Sequence, residues 1–62
     1  MTKYYDIAVA MKSYGGAFVS RLGEALAFAD PNNVERIKAA FPEYWEEYSK
    51  LAQNMTQYKE NP

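Results

Sequence analysis

The sequence predicts an all-α fold, a small bundle of three main helices plus a short connecting one. Three observations carry this. Apolar residues recur at helical rather than strand spacing. Gly15-Gly16, Asp30-Pro31 and Pro42 divide the chain into four stretches without repeats or linkers. A chain of 62 residues has room for one core, so residues 1–62 form a single helical domain whose tail, 59–62, is expected to fray.

The first stretch, about Lys3 to Ser13, places Tyr4, Ile7, Ala8 and Met11 on one stripe. Tyr5 and Val9 fall on another side, so this helix is expected to touch something besides its own core. Gly15 stands where a helix end favours the left-handed conformation.

The second stretch, about Gly16 to Ala29, has three faces at helical periodicity. Phe18, Val19, Leu22, Ala25, Leu26 and Ala29 form a broad apolar arc expected to fill the core. Gly16, Ser20, Gly23 and Ala27 form a stripe of small residues, a candidate groove for helix packing or dimerisation. Arg21, Glu24 and Phe28 make up the rest. A glycine inside a helix costs about 1 kcal/mol relative to alanine, so Gly23 implies a close approach that returns at least as much.

Asp30 can cap a third helix, about Pro31 to Ala40, with Pro31 at the first position, where its missing N–H costs nothing. Val34, Ile37 and Phe41 are expected inward. Pro42 restarts the chain, and Glu43 complements the dipole of a last helix running to about Gln57. Tyr44, Tyr48, Leu51, Ala52, Met55 and Tyr58 share its apolar arc, with Trp45 at the border. Glu46 and Lys50 are spaced for an i,i+4 pair.

Composition narrows the function. The chain has no cysteine and no histidine, which removes disulfides, thiolate metal sites and the commonest general base. A domain this small needs a staple, and self-association as a homodimer is the one left. Seven basic against eight acidic residues give a net charge of −1, against the basic surplus of a general nucleic-acid binder. No apolar run approaches a membrane span of about 18 residues, and Asp6 interrupts any signal-like start, so a cytoplasmic protein is expected.

Chemistry finds no foothold. Thr2, Ser13, Ser20, Ser49 and Thr56 have no histidine to activate them, and the lysines lie in no activating motif. Glu43, Glu46 and Glu47 fall on a polar helix face, where carboxylates stay ordinary. The glycine pair lacks the spacing of a phosphate loop. No enzyme, cofactor, metal or small-molecule ligand is expected.

Protein partners remain. Tyr5, Val9, Phe28 and Trp45 lie off the apolar faces of their helices and are the candidate contacts. The alternative is a helix-turn-helix-like DNA-binding regulator, in which Asn32, Asn33, Arg36 and Lys38 of the third helix would reach bases and phosphates. Asp30 and Glu35 beside them oppose that reading.

The segments YGGAFVSRLGEAL, ADPNN and AFPEYWEEY, within Tyr14 to Tyr48, resemble short helical proteins encoded by phages, prophages and other mobile elements. The resemblance implies an accessory gene in a bacterial host. It suggests stoichiometric binding and inhibition of a host or defence protein, with a structural role in a phage assembly as a further alternative. It transfers no catalytic or binding residue.

Overall fold

The computed structural model describes residues 4–60, with side chains through Asn54. Within them the chain is all-α, in the order α1 Tyr4–Tyr14, α2 Ala17–Ala27, α3 Pro31–Ala40 and α4 Pro42–Glu60, with no strand. The last helix runs past Gln57 to Glu60. The expected start at Lys3, the side chains of Met55 and Tyr58, and residues 61–62 lie outside the described residues.

Helix α1 is the centre of the bundle, packed against both α2 and α4. Ile7, Ala8, Ala10 and Met11 are all buried, whereas on its other side Val9 is half-buried and Tyr5 is exposed. Tyr4, expected in the core stripe, is 41% exposed instead. The core is completed by Val19, Leu26, Val34, Tyr48 and Ala52, with Leu22, Ile37, Tyr44, Trp45 and Leu51 half-buried around it.

The turn between α1 and α2 corrects one expectation. No glycine among the described residues has a positive φ, so Gly15 is not a left-handed cap. Space demands glycine there. A Cβ on Gly15 would stand 2.6 Å from the carbonyl oxygen of Met11 and 2.6 Å from Cγ1 of Val19. Gly16 follows in extended backbone as the N-cap of α2, without a side chain to bond the free N–H groups.

Helix α2 ends at Ala27 rather than Ala29. Its last turn tightens, with the N–H groups of Phe28 and Ala29 donating to the carbonyls of Ala25 and Leu26. Asp30 is already extended, as a residue before proline favours. Its carboxylate accepts the N–H of Asn33 at 2.8 Å and caps α3, with Pro31 in the first turn.

Helix α3 packs lightly, bridging α2 and α4. The link to α4 is held by aromatic rings. Phe18 meets Phe41 edge-on at 5.8 Å, and Phe41 stacks on Tyr44 at 5.9 Å. Such pairs add about 0.5–1.5 kcal/mol beyond their buried area, which fastens the start of α2 to the α3–α4 corner.

Candidate protein-binding face

The small-residue stripe meets α1 of the same chain. Gly23 is buried, and a Cβ on it would stand 2.6 Å from Cβ of Met11 and 2.8 Å from the carbonyl oxygen of Ala8. Ser20 and Ala27 flank it half-buried, whereas Gly16 is exposed with open space around it. The stripe therefore acts as a helix-packing groove centred on Gly23, and Gly16 takes no part in the close approach.

That approach turns α2 about its axis. The buried positions Val19, Gly23 and Leu26 lie roughly 70° from the middle of the apolar arc at about 100° per residue, displaced toward the small residues. Two expected core residues are consequently left outside. Phe18 is 58% exposed, and Ala25 is exposed.

The displaced arc opens onto α3. Ala25, Phe28, Ala29, Ile37, Ala40 and Phe41 line a trough of about 470 Å³ between the two helices, with Asn33 and Arg36 at its rim. Phe28 stands 87% exposed at its edge. The volume matches that of small-molecule sites, but those enclose most of their ligand. This trough is open along its length, a shape suited to side chains offered by another macromolecule. Arg36 is its one charged lining residue.

The candidate contacts do not form one patch. Phe28 belongs to this face, Tyr5 is 57% exposed on the first turn of α1, and Val9 is half-buried. Trp45 lies half-buried in a different depression between α3 and α4, with the Lys38 ammonium 5.8 Å from its ring centroid. That contact, worth about 0.5–1 kcal/mol at an accessible site, occupies the ring within the chain. Periodicity missed Ala25 and Phe41 as parts of the face, and Phe18 as the exposed ring against Phe41, because it assigned all three to the core.

Tyr4, Tyr5 and Tyr14 are also exposed, along α1, while the outer face of α4 is charged. Glu43, Glu46 and Glu47 are exposed, and Lys50 reaches Glu46 at 4.0 Å, an exposed pair worth a few tenths of a kcal/mol. Arg21 and Glu24 pair at 3.7 Å. Among the described residues, no group of three acidic, cysteine or histidine side chains could hold a metal ion. No helix in them is long and apolar enough to cross a membrane. No protein-family model, curated protein or solved structure matches the chain.

Proposed function

We propose that this protein acts without catalysis, as a protein-binding module whose contact surface is the α2–α3 face. The observation that carries the reading is Phe28, an aromatic ring 87% exposed on the rim of an apolar trough. A single exposed apolar residue is ordinary, whereas a contiguous set marks an interaction surface. Phe18 and Phe41, in ring contact with each other, continue the set along the α3–α4 corner. Aromatic residues, phenylalanine among them, are enriched at the cores of protein interfaces.

The resemblance to phage and mobile-element proteins supports a bacterial host or defence protein as the target, held stoichiometrically in the cytoplasm. The test is capture from bacterial lysate on the immobilised protein, comparing wild type with Phe28→Ser and Tyr5→Ser. The expected result is a stoichiometric partner retained by wild type and Tyr5→Ser and lost with Phe28→Ser. Equal retention by all three removes the α2–α3 face from the reading. Salt-sensitive retention on DNA instead of protein would replace the reading with the regulator alternative.

A further inference from the structure

We infer that the α2–α3 face also takes a second copy of this chain, in a two-fold dimer in which Phe28 of each copy enters the trough of the other. This rests on the reading of that face as a protein-binding surface and names an occupant for it. A two-fold contact uses the same patch twice, so the patch must carry both a projection and a recess. The α2–α3 face has both side by side: Phe28, 87% exposed, and the trough that it lines together with Ala25, Ile37 and Ala40.

Charge fits the same arrangement. Arg36 lines the trough and joins no ion pair among the described residues. Asp30 is exposed and bonds the N–H of Asn33, another residue of the trough. Arg36 thus lies in the trough and the Asp30 carboxylate at the N-terminus of the same helix, and a two-fold axis between them brings Arg36 of each copy toward Asp30 of the other.

The area is sufficient for a weak dimer. With about 200 Å² per phenylalanine ring, Phe18 at 58% and Phe28 at 87% exposure offer about 300 Å² per copy. Four rings in a dimer then supply roughly 600 Å² of the ~1,000 Å² that a specific interface must clear, and the exposed Ala25 and Ala40 add to it. Interfaces at the small end of the scale are weak or transient, so the mass should depend on concentration.

The test joins dilution-series sedimentation with isotope-filtered NMR on a mixture of labelled and unlabelled protein. Over roughly 1 µM to 1 mM, the range for an interface at the small end of the scale, the mass should rise from monomer to dimer. Intermolecular contacts should join the Phe28 ring to the methyl groups of Ile37 and Ala40. Phe28→Ser should weaken the dimer at least tenfold, as expected of an anchor residue, and Arg36→Glu should weaken it too, both with unchanged helical circular dichroism. A monomer at 1 mM, or a dimer whose intermolecular contacts avoid Phe28, overturns the second copy. Target capture that depends on Phe28 would survive either of those results. A dimer with the expected contacts, alongside capture indifferent to Phe28→Ser, would leave the second copy standing and remove the foreign target from this face.

Discussion

Gly23 of α2 lies directly against Ala8 of α1, so close that a Cβ on the glycine would stand 2.8 Å from the alanine carbonyl oxygen. Both are buried, and Met11 and Lys12 of α1 close the other side of the contact. The two backbones therefore touch where a side chain would ordinarily hold helices apart.

The contact reverses the usual sign of a glycine substitution. Within a helix, Gly→Ala normally stabilises by up to about 1 kcal/mol. Here Gly23→Ala should destabilise by about 1–3 kcal/mol, the range for overpacking, and Gly23→Leu by more. Thermal and urea melts read this directly. A melt equal to or above wild type would show that α1 shifts freely away from α2.

Removing the α3 cap gives a second, independent figure. Asp30→Ala leaves the N–H of Asn33 without its partner and should cost about 1 kcal/mol. Asp30→Ser, which can still accept that bond, should recover most of it. The comparison by urea melt separates capping from charge, because serine restores the bond and not the carboxylate.

What the sequence made legible follows from where local rules suffice. Four helices, the Asp30-Pro31 cap and the Glu46–Lys50 pair depend on neighbours in the chain, and each was read from residue type and spacing. The need for close packing at Gly23 was equally visible. Its consequence was not, because a helical wheel shows which residues are apolar and not which way the helix turns once a glycine draws it in. Phe18 was therefore assigned to the core and Phe28 appeared isolated, although Phe28 lines the trough with Phe41 and Phe18 touches Phe41. Gly15 was misread for a related reason: a glycine after a helix suggests left-handed backbone, and only the folded positions of Met11 and Val19 show that space sets the requirement.

The core also carries a pH dependence. Burial, helped by the nearby Glu47 carboxylate and the Tyr44 phenol, pushes the Tyr48 hydroxyl above its ordinary pKa of 10.0. The unfolded chain releases this proton more readily than the folded one. Stability is therefore intact below about pH 10 and falls as pH rises from there through the folded value. Tyr48→Phe should flatten the alkaline limb of a stability–pH profile. An unchanged limb would assign the loss to other groups.

Two exposed phenylalanines, one within α2 and one beside it, should separate stability from binding. Phe18 is fastened to Phe41 and Tyr44, so Phe18→Ala should cost about 1 kcal/mol from its ring contacts. Phe28 is 87% exposed, so Phe28→Ala measured on dilute monomer should stay within about 0.5 kcal/mol of wild type. Urea melts at low micromolar concentration make the comparison, and a large loss at Phe28 would show that its ring supports the fold.

The junction of Gly23 with α1 also bears on the order in which the chain assembles. Its partners, Ala8 to Lys12, lie nearby in sequence across a single short turn, so α1 and α2 can find each other with little loop entropy lost. Contacts of α1 with α4 must close most of the chain. Local pairings of this kind form early and set the folding rate. A side chain at position 23 should accordingly slow folding more than it hastens unfolding, which makes the smallest residue in α2 part of the nucleus from which the bundle grows.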